Sequence, residues 1–93
     1  MLVKIERLEL FDRDLEELSE SDDKIRDFVD GSVWVLQRDP ALGQAVTLKC
    51  PTLHALPMYH PEGISVVLYY HLFSDSDPPK VILRSLHRMQ ADE

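Results

Sequence analysis

The sequence predicts a single α+β domain in which an N-terminal strand and an α-helical hairpin precede a three- to four-stranded antiparallel sheet. The chain has 93 residues, of which 44% are hydrophobic, which is enough for one core and too little for two domains. A helical pattern fills the first part of the chain, and short β-like segments follow Pro40. We therefore treat residues 1–93 as one domain.

The first two elements are expected to be a strand and a helix. Residues 3–10 alternate imperfectly between apolar and polar side chains, which favours a strand. Phe11, Leu15 and Leu18 then follow at steps of four and three, which places them on one face of a helix. Acidic side chains dominate its other face: Asp12, Asp14, Glu16, Glu17 and Glu20. This acidic face is interpreted either as solvated charge or as a docking surface for a basic partner.

A second helix is predicted from about Asp22 to Arg38. Apolar side chains recur through this segment at steps of three and four. Ser21 or Asp22 can accept hydrogen bonds from the free amide groups at its start. Pro40 ends the helix, because the residue before a proline disfavours helical torsion angles. Two antiparallel helices joined by a short turn result.

Three or four strands are predicted after Pro40. The segments QAVTLKC and HALPMYH are short, and Pro51, Pro57 and Pro61 confine them to edges or irregular strands. The run GISVVLYYHLF is the most apolar and β-branched of the chain, which indicates a central strand buried on both faces. A polar turn separates it from KVILRSLHR, and the two segments are expected to form a hairpin.

The charge of the chain is strongly negative and unevenly distributed. The formal net charge is −7, and residues 1–39 carry 12 acidic and 6 basic side chains. Residues 78–91, by contrast, carry three basic side chains and no acidic one. Such a chain is not expected to bind nucleic acid through a general electrostatic field, because that requires many lysine and arginine contacts. An anion-binding site must therefore be local and C-terminal.

Several signals are missing from the sequence. Cys50 is the only cysteine, so no internal disulfide can form and a reducing compartment is expected. A small buried or half-buried thiol is preferred to a catalytic one. The N-terminus lacks the apolar run of a signal peptide, and no segment approaches the roughly 20 apolar residues that span a bilayer, so a cytoplasmic location is expected. The histidines and glycines show no spacing typical of a metal or phosphate-loop site, so neither a metal nor a cofactor is expected.

The strongest candidate for chemistry is the basic end of the last predicted strand. Arg84 and Arg88 offer guanidinium groups that match phosphate geometry, and His87 can move a proton near neutral pH. Together they would suit cleavage of an RNA phosphodiester. A regular strand places 84 and 88 on one face and 87 on the other, so the three converge only if the strand bends or ends near Leu86. The alternative is an ordinary strand end with solvated charges.

The chain resembles the RelE/ParE toxin superfamily of bacterial and archaeal toxin–antitoxin systems. The resemblance rests on FDRDLEEL in the first helix, DFVDGSVWVLQRDP in the second, GISVVLYYHLF in the central strand and KVILRSLHRM with its His-Arg ending. It covers nearly the whole chain and implies a RelE/ParE-like fold and a cognate antitoxin as partner. Many of these toxins cleave messenger RNA on the ribosome, whereas those of the ParE type act on DNA gyrase.

The resemblance also implies roles for individual residues. His87 corresponds to a C-terminal histidine that acts as acid or base, and Arg84 to the last-strand arginine, so both are predicted to be catalytic. Arg88 corresponds to the adjoining basic residue, and Lys49 lies where family members place a phosphate-contacting lysine. These two, together with Lys80 of the same basic segment, are predicted to bind phosphate or RNA.

Two classes of function stay open. The first is a ribosome-dependent messenger RNA endoribonuclease, which the basic ending of the last strand favours. The second is a non-nucleolytic binding protein on the same fold, either a gyrase-directed toxin or a nontoxic relative that binds an antitoxin. Val66 and Val67 stand where nucleolytic members carry a central-strand arginine. That substitution and the net charge of −7 favour the second class.

Overall fold

The computed structural model describes residues 3–60, 63 and 65–89, which form two helices and one five-stranded sheet. The strands are β1 (Lys4–Arg7), β2 (Gln44–Thr47), β3 (Cys50–Tyr59), β4 (Ser65–Phe73) and β5 (Lys80–Arg88), and the helices are α1 (Glu9–Ser21) and α2 (Lys24–Arg38). The predicted class and element order are confirmed, with four antiparallel strands after the helices. Residues 90–93 and residue 64 of the predicted central strand lie outside the described residues.

The strand order in the sheet is β1-β5-β4-β3-β2. β1 lies parallel to β5, and the other neighbours are antiparallel. β4 is the central strand and forms the predicted hairpin with β5, in which Val67 lies opposite His87 and Phe73 lies opposite Lys80. The basic segment therefore forms β5, whose residues 80–83 lie between β1 and β4 and whose later residues pair with β4 alone among the described strands.

Both helices pack on one face of the sheet. The buried side chains of the helices and strands form one cluster, which includes Phe11, Leu15, Ile25, Val29, Leu36, Leu56, Met58, Val66, Leu68, Tyr70, Val81, Leu83 and Leu86. Along β4 these alternate with Val67, Tyr69 and His71, which are only half-buried because no described helix covers the second face. The prediction that the central strand is buried on both faces is therefore wrong, and one face of the sheet stays open.

The first strand is shorter than predicted. β1 ends at Arg7 and α1 already begins at Glu9. Leu8 links the two elements with extended torsion angles, and its N–H donates to the carbonyl of Leu83 at 3.0 Å. The pairing with β5, rather than the local alternation, thus determines where the strand stops.

The second helix begins two residues later than predicted, at Lys24, and ends as predicted at Arg38. The Asp22 carboxylate accepts a hydrogen bond from the N–H of Lys24 at 3.0 Å. Asp22 thus accepts from one free amide at the start of the helix as predicted, although the N-cap residue is Asp23, whose side chain makes no capping bond.

The segment after α2 is attached to the centre of the sheet. The Tyr70 hydroxyl donates to the carbonyl of Pro40 at 2.8 Å and accepts from the N–H of Gly43 at 2.9 Å. A Cβ atom at Gly43 would lie 2.6 Å from that hydroxyl, so this close approach requires glycine. Burial raises the pKa of Tyr70, which keeps its hydroxyl protonated and able to donate.

The predicted segment QAVTLKC is divided between two strands. Thr47 ends β2 and pairs with Cys50, which begins β3, so residues 48–49 form a tight turn. Pro57 lies in β3 beyond Ala55, the last residue of that strand that pairs with β2. A proline is tolerated there because β3 has no described neighbour on that side.

Candidate functional site

A β-bulge interrupts the pairing of the central hairpin at Arg84. Tyr69 pairs with Ser85, and the next residue of β4, Tyr70, pairs with Leu83. Arg84 is therefore an extra residue of β5 without a partner on β4. Such an insertion bends the strand and turns both residues of the bulge toward the same face of the sheet.

The bulge determines which side chains of β5 share a face. Arg84 and His87, which a regular strand would place on opposite faces, both line the open face. The bend expected near Leu86 is thus present two residues earlier. Arg88 does not join them, because it pairs with Val66, whose side chain is fully buried under the helices. The predicted grouping of Arg88 with the other two is therefore wrong.

Arg84 and His87 line a hollow of about 310 Å³ together with Leu53, Tyr69 and Ser85. The rings of Tyr69 and His87 meet edge to face, with 5.4 Å between centroids and 79° between planes. Ser85 is only 5% exposed, whereas Arg84 and His87 are exposed. The hollow thus brings a guanidinium, an imidazole, a phenol and an aliphatic hydroxyl beside one another at the surface.

Helix α1 supports the end of β5 that carries His87. β1 ends at Arg7, which pairs with Leu83, so among the described residues no strand lies beside the outer edge of β5 from there on. The N–H of Leu86 instead donates to Oδ2 of Asp14 at 3.0 Å. The carboxylate takes the place of a strand carbonyl and satisfies a backbone amide next to the bulge.

His71 lies on the open face, two residues after Tyr69 on the central strand. Its Nδ1 is 2.9 Å from Oγ1 of Thr52. Burial lowers the pKa of His71, and the nearby charges of Arg84 and His54 lower it further. The imidazole is therefore neutral at neutral pH, unlike the guanidinium beside it.

The two predicted lysines lie away from the hollow. Lys80 begins β5 opposite Phe73, with its Nζ 3.4 Å from Oε2 of Glu6 and 5.9 Å from the centroid of the Phe73 ring. The length of the strand, roughly 20 Å, separates it from His87. Lys49 lies in the exposed turn between β2 and β3. Neither lysine lines the hollow, and their binding to phosphate or RNA stays a prediction.

The negative charge is concentrated on the helical side. Residues 9–39, which hold both helices, carry eleven acidic and four basic side chains and thus a net charge of −7. This equals the net charge of the whole chain, so the remaining residues are balanced. Glu6 is the only acidic residue within the five described strands. The open face of the sheet therefore does not share the negative field of the helices.

Sequence reasoning missed four residues of this face, namely Leu53, Tyr69, His71 and Ser85. The step of two between Tyr69 and His71 in a predicted strand indicates one shared face, and this signal was available. The positions of Leu53 and Ser85 depend on the strand register and the bulge. No local pattern in the sequence reveals either of these.

The other histidines and the cysteine lie elsewhere. His54 stacks on Tyr70 with 5.3 Å between centroids, and His60 meets Phe28 edge to face at 5.1 Å. Cys50 is half-buried at the start of β3. Within the described ranges, no three metal-ligating side chains lie together, and neither of the two helices combines the length and apolar character that crossing a membrane requires.

Comparison with known proteins adds no assignment. No protein-family model matches the chain, and no curated protein matches it by sequence. What this protein binds is therefore inferred from its open face, where a guanidinium and two imidazoles lie among aromatic rings.

Proposed function

We propose that this protein is a RelE/ParE-like toxin of a type II toxin–antitoxin system, and that it cleaves RNA at the hollow on its open face. The observation that carries the proposal is the bulge at Arg84, which puts a guanidinium and the imidazole of His87 beside one cavity. The order of elements and the His-Arg ending of β5 support the family assignment. As a messenger RNA endoribonuclease, the protein would act in the cytoplasm, on messages bound to the ribosome.

The proposed reaction is transesterification by the 2′-hydroxyl of the ribose before the scissile bond. A base removes the 2′-proton, the 2′-oxygen bonds to phosphorus, and the bond to the 5′-oxygen breaks as an acid protonates that oxygen. The products are a 2′,3′-cyclic phosphate and a 5′-hydroxyl. His87 is the base that takes the 2′-proton, water supplies the proton to the leaving 5′-oxygen, and Tyr69 restrains the ring of His87. Arg84 stabilises the charge that develops on the non-bridging oxygens.

The charge distribution supports an RNA substrate. The acidic side chains that make the chain negative lie in residues 9–39, in and around the helices, and the helices pack on the face opposite the hollow. RNA that approaches the open face meets Arg84 and Lys80, with Glu6 as the one acidic residue of the strands. The net charge therefore does not oppose binding at this face, because charges act locally at physiological ionic strength.

The proposed protein partner is a cognate antitoxin. The exposed side of α1 carries a group of acidic side chains that includes Asp12, Glu16, Glu17 and Glu20. A basic amphipathic segment of an antitoxin would find complementary charge there. No small-molecule cofactor takes part in this proposal.

A non-nucleolytic protein on the same fold is the second candidate. Val67 favours it, because this side chain lies opposite His87 on the open face, where resembling nucleases carry an arginine. Arg84 is consequently the one guanidinium that lines the hollow. Val66 is fully buried under the helices, so an arginine would not fit there. In this candidate, the protein acts on DNA gyrase or binds an antitoxin without toxicity.

The test is induced expression of the chain and of three variants, with growth and messenger RNA integrity as the two measurements. The wild type is expected to arrest growth and fragment RNA, whereas His87→Ala and Arg84→Ala are expected to lose cleavage by about 10²–10⁴-fold. Arg88→Ala is the matched control. It removes the same charge from the same strand on the helix-bearing face, and it is expected to stay active.

The outcomes separate the two candidates. Growth arrest with intact RNA would argue against nuclease activity and favour a gyrase-directed toxin. Absence of growth arrest would favour a nontoxic protein that binds an antitoxin. Cleavage that survives in both His87→Ala and Arg84→Ala would remove the hollow as its site.

A further inference from the structure

We infer that the open face itself binds single-stranded RNA along the central strand, so that the chain contacts RNA directly even in the absence of the ribosome that presents the message in the proposed function. This inference rests on the proposed function, because it supplies the hollow with its substrate. It assigns the binding to three rings of β4 and to Lys80, of which only Tyr69 also lines the hollow.

The rings of the central strand form a row on the open face. Tyr69, His71 and Phe73 follow one another at steps of two, which places successive rings about 7 Å apart along the strand. His71 and Phe73 lie nearly parallel, with 6.3 Å between centroids and 29° between planes. All three are half-buried, so each keeps part of its surface exposed. Such rings stack on bases with little regard for base identity.

The neighbouring strand supplies cations along this row. Lys80 lies opposite Phe73 at one end, and Arg84 lies in the bulge beside Tyr69. An RNA strand whose bases stack on β4 would therefore place its phosphates over β5, with the hollow at His87 at its other end. β4 thus offers rings on which bases can stack, and β5 offers cations for the phosphates. Proteins that bind single-stranded nucleic acid combine these two features. A duplex hides the faces of its bases and gains nothing from the rings.

Glu6 competes with RNA for Lys80. Its carboxylate lies 3.4 Å from Nζ of Lys80 and 3.5 Å from Nζ of Lys4. The charge of Lys80 lowers the pKa of Glu6, and its carboxylate is ionised at neutral pH. RNA must displace this carboxylate to contact Lys80, so removal of the charge should tighten binding.

The binding test uses fluorescence anisotropy with labelled 2′-O-methyl oligouridine of two, four and eight nucleotides. The probe lacks the attacking hydroxyl, so binding is measured without cleavage. Affinity is expected to rise from two to four nucleotides. Phe73→Ala and the apolar replacement Phe73→Leu are both expected to weaken binding by about 5–150-fold. Trp34→Ala is the control, because Trp34 is an exposed ring on α2, on the other side of the sheet.

The salt dependence of the same binding tests the phosphate contact. Single-stranded nucleic acid loses affinity with a logarithmic slope of about −0.7 per neutralised phosphate. Lys80→Ala is expected to reduce that slope by about 0.7, and Glu6→Gln is expected to increase the affinity at low salt. Arg13→Ala, an exposed charge of α1, should change neither quantity.

The inference and the proposed function fail in different ways. If Phe73→Leu and Lys80→Ala bind the probe as tightly as the wild type, the row of rings is not the binding site, whether or not RNA is cleaved. If the variants change the binding of the probe as predicted but unmodified RNA is not cleaved, the inference stands and the proposed nuclease activity is refuted. A wild type that binds no probe of any length would also overturn the inference.

Discussion

Arg84 is the residue on which the chemistry of the open face depends. As the unpaired member of a bulge, its side chain shares a face with that of Ser85 instead of alternating with it. It reaches the hollow beside His87 and lies close enough to His71 to help lower the pKa of that imidazole. One guanidinium thus lines a hollow with the exposed imidazole of His87 and lowers the pKa of the half-buried imidazole of His71.

The depressed pKa of His71 predicts a pH-dependent stability. Its ordinary value is 6.5, and the folded chain holds the proton less readily than the unfolded chain does. The stability it contributes is therefore present above about pH 6.5 and decreases as the pH falls below that value. His71→Gln removes the titration, so the free energy of unfolding should fall less between about pH 7.5 and about pH 5.5.

Urea unfolding at the two pH values measures this effect. His87→Gln is the control, since its side chain is exposed on the same face. An equal decrease in stability for wild type and His71→Gln would show that His71 does not contribute.

Among the elements, α1 and β5 depend on each other at the point where β1 ends. Asp14 accepts the hydrogen bond of the Leu86 amide, and its removal leaves that donor without a protein partner. Asp14→Ala is therefore expected to lower the free energy of unfolding by about 1–2 kcal/mol. Asp14→Asn keeps an acceptor oxygen and should recover most of this loss.

Urea unfolding of the purified variants checks the role of Asp14. Glu16→Ala, which removes an exposed acid from the same helix, should stay within about 0.5 kcal/mol of the wild type. A loss at Asp14 no larger than this control would mean that water replaces the carboxylate at the edge of β5.

The elements themselves were largely predictable from the sequence, whereas several of their ends, unlike the end of α2 at Arg38, were not. The stripe that contains Phe11 and Leu15 is a local property of the chain, and both side chains are buried as it predicts. The end of β1 depends on the bond between Leu8 and Leu83, which lie far apart in sequence. The bulge likewise depends on the pairing of β5 with β4, so the residues next to Arg84 in the sequence do not indicate it.

The apolar run of the central strand was misleading for a different reason. Val67 and Tyr69 suggest a second buried face, yet they lie on the open one. Large apolar side chains in a strand indicate burial or a binding surface, and the sequence does not distinguish between the two.

On the scale of the whole molecule, the fold separates the charges that the sequence mixes. A net charge of −7 argues against RNA binding only if the positions of the charges in the fold are ignored. The acidic residues gather in and around the helices, and the basic ending of β5 lies in a sheet with one acidic strand residue. His87 and Arg84 were predictable from that ending, whereas their aromatic neighbours required the register of the sheet.

The location of the acidic side chains on the helices predicts how the association rate of an antitoxin would depend on salt. If a basic segment docks on the acidic side of α1, the association rate constant should fall steeply as salt rises, because attraction between the partners is screened. Stopped-flow measurements with the cognate antitoxin at several salt concentrations test this expectation. The double variant Glu16→Gln/Glu17→Gln should flatten the dependence, and Asp75→Asn, in the loop between β4 and β5, should not. A rate that is insensitive to salt would place the partner elsewhere.

The extra residue of β5 also separates the proposed catalytic site from the architecture of the sheet. On both sides of Arg84 the ladder is already in register, with Leu83 opposite Tyr70 and Ser85 opposite Tyr69. Deletion of this one codon would join Leu83 directly to Ser85, and every later side chain of the strand would keep its present face. The chemistry can therefore be gained or lost by an insertion or deletion of a single residue, without a new fold.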